Sequence, residues 1–123
     1  MFYISTNLTH AASDGSTESY VTLPVAAKLN SVRLCPDVST AQHASNYVTY
    51  SIADNAAATI FSATTATSGG AALTAGTPVA VTLSTAADYD FAAGEVVKIR
   101  VADNSGGASC AFTVVYEFAP ARG

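Results

Sequence analysis

The sequence predicts an all-β domain, a sandwich or barrel of about eight strands. Three observations lead there. Apolar and polar residues alternate with period two along several runs, as side chains do across a pleated strand. Turn residues interrupt these runs at fairly regular intervals, in SDGS, after Cys35 at Pro36–Asp37, and in ADNAA, SGG and DNSGG. No apolar stripe of period 3.6 emerges, although Ala is abundant, because it is mixed with Thr, Ser and Gly.

FYIS near Phe2 is a short first strand, and ESYVTLP near Tyr20 a second. AAKLNSVRLC changes phase: Ala27 and Leu29 share one parity, Val32 and Leu34 the other. A bulge at Asn30–Ser31 reconciles them, since one extra residue flips the faces. NYVTYSIA sets Val48, Tyr50 and Ile52 against Tyr47, Thr49 and Ser51. ATIFSAT near Ile60 is another short strand, and TPVAVTLS sets Val79, Val81 and Leu83 against Ala80 and Thr82. STAADYDFAAGE has room for one short helical turn. GEVVKIRVAD then places Val97, Ile99 and Val101 opposite Lys98 and Arg100, and CAFTVVYEF places Phe112, Val114, Tyr116 and Phe118 opposite Thr113, Val115 and Glu117.

The chain has 123 residues, which suits one domain over 1–123, with residues 1–9 a candidate N-terminal arm. Only 11% of residues are charged, against about 25% in an average domain. Thr, Ser, Asn and Ala must therefore cover the surface, which suits a protein built into a larger assembly. The five basic residues, Lys28, Arg33, Lys98, Arg100 and Arg122, form no run, which argues against nucleic acid and anionic lipid as partners. MFYISTNLTH lacks the basic start and apolar core of a secretory signal, and no segment has the roughly 18 apolar residues of a membrane span. The expectation is a soluble chain not exported by that route. Cys35 and Cys110 have no metal-ligand spacing and are expected as free thiols within strands.

PDVSTAQHASNYVTYSI gathers Asp37, Ser39, Thr40, His43 and Ser45, the residue types of a hydrolytic set. A triad needs its nucleophile on a rigid turn, with the base and acid behind it. Neighbours within one loop rarely face each other in that way, and no GxSxG elbow is present. The stretch therefore reads as a connector and contact loop, with Asn46 bonding its local backbone. Asp88, Asp90 and Glu95 lack the spacing of a calcium loop, and the Gly stretches lack the Lys-Ser/Thr of a phosphate cradle. No catalytic, metal or cofactor residue is assigned. Among the tyrosines, Tyr3, Tyr20, Tyr47 and Tyr89 suit core or interface roles. The candidate partner contacts are Phe2, Tyr3 and Ile4, through strand addition to a neighbour's sheet, together with His43 and Tyr47.

SVRLCPDVSTAQHASNYVTYSI, the Thr/Ala-rich stretch ending GTPVAVTLSTAADYDFAAGEVVKIRVADNSGG, and the strong last strand resemble small structural proteins of tailed bacteriophages. These are capsid decoration (cement) or head-fibre proteins. The resemblance runs from about Lys28 onward and transfers no individual functional residue. It implies a β-sandwich, often jelly-roll-like, without enzyme activity or cofactor. It also implies attachment to the major capsid protein on the outer capsid surface of the virion, often as a homotrimer, after synthesis in the host cytoplasm. The competing reading is a carbohydrate- or receptor-binding β module of a tail or host-contact protein. A cupin-like enzyme would need a cluster of metal-binding histidines, and the chain has only His10 and His43.

Overall fold

A computed structural model describes residues 1–54, 59–83 and 90–120. Eight strands form two four-stranded antiparallel sheets: β1 Phe2–His10, β2 Ser16–Thr22, β3 Ala27–Pro36, β4 Val48–Ala53, β5 Thr59–Thr64, β6 Asp90–Phe91, β7 Val96–Asp103 and β8 Cys110–Pro120. One sheet has the order β1-β8-β3-β6 and the other β2-β7-β4-β5. First pairs with last, second with seventh, third with sixth and fourth with fifth. That nesting is a long antiparallel hairpin rolled into two layers, which is a jelly roll. The described residues include no helix, and so none long and apolar enough to cross a membrane.

Period two produces the core. Val97, Ile99 and Val101 of β7 and Phe112, Val114, Tyr116 and Phe118 of β8 are fully buried between the layers. The β3 phase change is a bulge: its register with β8 shifts between Leu29 and Ser31, so Leu29 and Val32 both turn inward. The phenyl rings lock the layer at one end, with Phe2 stacked on Phe118 at 5.3 Å and Phe91 edge-on to Phe118 at 6.2 Å.

Two expectations change. Residues 1–9 do not form an arm, because Phe2 through His10 pair without interruption with Phe118 through Cys110. The alternation of FYISTNLTH continues through Leu8 and His10, both buried, so the strand runs five residues beyond FYIS. TPVAVTLS is not the sixth strand. Val79 makes one isolated bridge to Leu34, and Val79, Val81 and Leu83 pack on the core from outside the ladders. The sixth strand is the two-residue β6 opposite Ala27 and Lys28. The helical turn expected within STAADYDFAAGE lies partly outside the described residues. Its described part, residues 90–95, holds the strand residues Asp90–Phe91 followed by a turn with Gly94 at φ +86°.

Candidate functional site

The β1–β2 turn, the β3–β4 connection, residues 65–76 at the start of the β5–β6 connection and the β7–β8 loop gather at one end of the sandwich. Chain segments that leave the ladders must place their backbone groups elsewhere. Here they bond one another. Thr40 and Leu73 exchange two backbone bonds of 2.9 Å. The His43 N–H donates to the Thr65 carbonyl, and the Thr67 N–H to the His43 carbonyl. The Gln42 amide donates to the carbonyls of Ala66 and Gly70, at 3.1 and 2.9 Å. Gly70 lies so close to the Thr64 and Ala66 carbonyls that a Cβ would overlap them. The Asn104 side chain ties the β7–β8 loop in by donating to the Ser45 carbonyl at 2.8 Å.

This platform separates the hydrolytic residue types. The Asp37 carboxylate lies 2.9 Å from the Thr113 hydroxyl on the outer face of the first sheet. Ser39 accepts from the Ala75 N–H, and Thr40 donates to the Ser109 carbonyl. His43 is exposed, and its Nδ1 accepts from the N–H groups of Asn46 at 2.8 Å and Ser45 at 3.1 Å. The neutral ring therefore carries its proton on Nε2 and serves as a cap for the 43–46 turn. Asn46 departs from its expected role: its Oδ1 accepts from Gly106, sixty residues away, instead of from its local backbone.

Beside this turn lies an open hollow of about 430 Å³, lined by Ala44, Tyr47, Ala66, Thr67 and Ser68. No charged side chain lines it, so it suits an uncharged group that can meet an aromatic edge and two hydroxyls.

Beneath the platform is a constellation that sequence reasoning missed. The imidazole of His10 is fully buried between Thr17 Oγ1, 2.8 Å from Nδ1, and Asp103 Oδ1, 2.6 Å from Nε2. A hydroxyl, an imidazole and a carboxylate in line are the parts of a nucleophilic triad. The imidazole here has no surface open to a substrate, so the chain of bonds fastens β1 to β2 and β7. The second Asp103 oxygen takes the Gly15 N–H at 3.1 Å, and the Asp103 and Gly15 backbones bond at 2.7 Å. Gly107 leaves room for that carboxylate, which a Cβ there would overlap. The signal in the sequence was parity: His10 falls on the buried face of β1 with Leu8.

Cys110 lies opposite His10 across the β1–β8 pair and is buried. Burial first, then the Asp103 charge, pushes its thiol up to about 12. Both cysteines are free, with Cys35 half-buried. Among the described residues no group of His, Cys, Asp and Glu has metal-binding geometry; Asp88 lies outside them, and Asp90 is an exposed residue of β6.

The five contact candidates fall into two groups at opposite ends. Tyr47 lines the platform hollow, and His43 caps the turn beside it. Phe2, Tyr3 and Ile4 begin β1 at the far end. Tyr3 is exposed on the outer face of the first sheet, donating to Glu117 at 2.9 Å. Phe2 and Ile4 face inward and are half-buried against the core. Tyr20 is exposed on the outer face of the other sheet, beneath the Lys98 ammonium, 5.6 Å from its ring. Lys98 and Arg100 reach Glu18 at 2.8 and 3.6 Å. The Lys98 bond, then the Tyr20 hydroxyl, hold the Glu18 carboxyl below its ordinary range. Tyr89 lies outside the described residues.

Strand order and layer pairing place the chain among jelly-roll sandwiches. No protein-family model, curated protein or solved structure matches it.

Proposed function

We propose that the protein decorates and stabilises the outer surface of a bacteriophage capsid, as a structural virion component without catalytic activity. Its partners in this reading are the major capsid protein and further copies of itself. Three copies at a three-fold lattice position form the simplest closed arrangement. The observation that carries the reading is the jelly-roll strand order, an architecture that viral capsid proteins use. Its supports are the resemblance from Lys28 onward and the outer faces, where Ser5, Asn7, Thr9, Thr49 and Ser62 replace charge with small polar groups.

The test is cosedimentation with capsids stripped of the protein. Binding should saturate at a fixed ratio to lattice sites. Non-saturating binding would sink the reading.

A carbohydrate- or receptor-binding module is the second reading, and the Tyr47 hollow favours it. Jelly rolls also serve as lectins, so the fold suits both. Titration with neutral oligosaccharides, followed by NMR, should then shift resonances of residues 44–47 and 66–68, and Tyr47→Ala should abolish the shifts. Unmoved resonances would remove this alternative.

A further inference from the structure

Sheet edges display unpaired backbone donors and acceptors, and soluble proteins usually blunt them. Three of the four edges here are blunted. β6 is two residues long, β5 carries a bulge opposite Ile52–Ala53, and β2 carries Glu18 in an ion-paired cluster. β1 differs. It is nine residues long, its register with β8 is unbroken, and Met1–Thr9 contains no charged side chain and no proline. Among the described residues no backbone hydrogen bond reaches β1 from its outer side. Its inward-facing Phe2, Ile4 and Thr6 are only half-buried, whereas the inward-facing Phe112, Val114, Tyr116 and Phe118 of neighbouring β8 are fully buried.

We propose that β1 pairs antiparallel with β1 of a second copy of this chain, joining the two β1-β8-β3-β6 sheets into one continuous sheet across a two-fold axis. The strand is self-complementary for such a contact. A two-fold centred on Thr6 sets Tyr3 opposite Thr9 and Ser5 opposite Asn7 on the outer face. On the inner face it sets Ile4 opposite Leu8. Phe2 falls opposite His10 and Thr6 opposite its own copy. No like charges meet, and the two Ile4–Leu8 pairs set apolar against apolar, a combination that favours cross-strand pairing. An isologous contact of this kind closes on itself, so it makes a dimer and not a fibre. The contact does not rest on the capsid reading, and its test uses no capsids.

The experiment is sedimentation equilibrium of the full chain over a dilution series, alongside hydrogen exchange of the β1 amides. The chain should be a dimer that dissociates on dilution, with amides between Phe2 and Thr9 losing protection in step. Ser5→Lys with Asn7→Lys places two exposed lysines on β1, which face each other across the two-fold. It should raise the dimer dissociation constant about tenfold or more while leaving the circular dichroism unchanged. A monomer at the highest soluble concentration overturns the proposal, as does a trimer in solution. So does a dimer whose β1 amides exchange at the same rate at every concentration. The exchange result decides the matter even if the double variant fails to fold.

Discussion

His10 is held by two side-chain bonds and has no contact with solvent, and Asp103 depends on it in turn. Replacing the ring leaves a carboxylate of 7% side-chain exposure without its shortest partner. A buried charge that loses its hydrogen bond is costly, so His10→Ala should lower stability by about 2–3 kcal/mol. Thr17→Val removes only a neutral bond and should cost about 1 kcal/mol. Urea unfolding measures both; equal losses would mean that the carboxylate has found other partners. Tyr116 poses the opposite case. Its ring is the largest fully buried side chain, and its hydroxyl is the one buried side-chain polar atom without a partner among the described residues. Tyr116→Phe keeps the ring and removes the orphan. It should leave stability unchanged or raise it by about 1 kcal/mol. A clear loss in the same assay would reveal a bond to that hydroxyl.

Strands were legible where one face is buried and the other wet, because alternation then survives in the residue types. β7 and β8 show this plainly, and the β3 bulge could be placed from parity alone. The sixth strand was misread because TPVAVTLS alternates too: Val79, Val81 and Leu83 do cover the core, but they do so outside the ladders. Periodicity reports burial and not backbone pairing. The N-terminal strand was shortened because Ser5, Thr6 and Asn7 dilute its apolar signal, and Thr6 faces inward to meet the Ser19 hydroxyl. The platform was least legible, since Gln42, Asn46 and Asn104 bond partners 24 to 60 residues away. His43 and Tyr47 were flagged from their loop, whereas no short spacing links His10 to Asp103. Pairing along all of β1 also sets an outcome for truncation. Deleting Met1–Thr9 removes Leu8 from the core and the Phe2 ring from Phe118, and it turns β8 into an edge. Burying one such leucine is worth roughly 2–3 kcal/mol by itself. The truncated chain should lose its cooperative thermal transition. A cooperative transition at the original temperature would mean that β1 is dispensable after all.

Across the whole molecule, few charges and several buried acids make the alkaline limb of stability informative. Burial pushes the Cys110 thiol from 9.0 to about 12, and it also raises the Tyr116 and Tyr50 phenols above 10.0. Glu18 raises Lys98 above its usual value. Below pH 9 these four groups hold their protons in both folded and unfolded chains, so they contribute no slope. Above pH 9 the unfolded chain releases the Cys110 proton while the folded chain keeps it. The folded state then binds more protons, and stability must fall as pH rises. Above pH 10 the two tyrosines, followed by Lys98, add to the same slope. The urea midpoint should therefore decline from about pH 9, steepening beyond pH 10. Cys110→Ala removes the group that titrates first. It should flatten the curve between pH 9 and 10 and leave the later, tyrosine-driven fall in place. A variant with the same early slope as the parent chain would place the first deprotonation on another group.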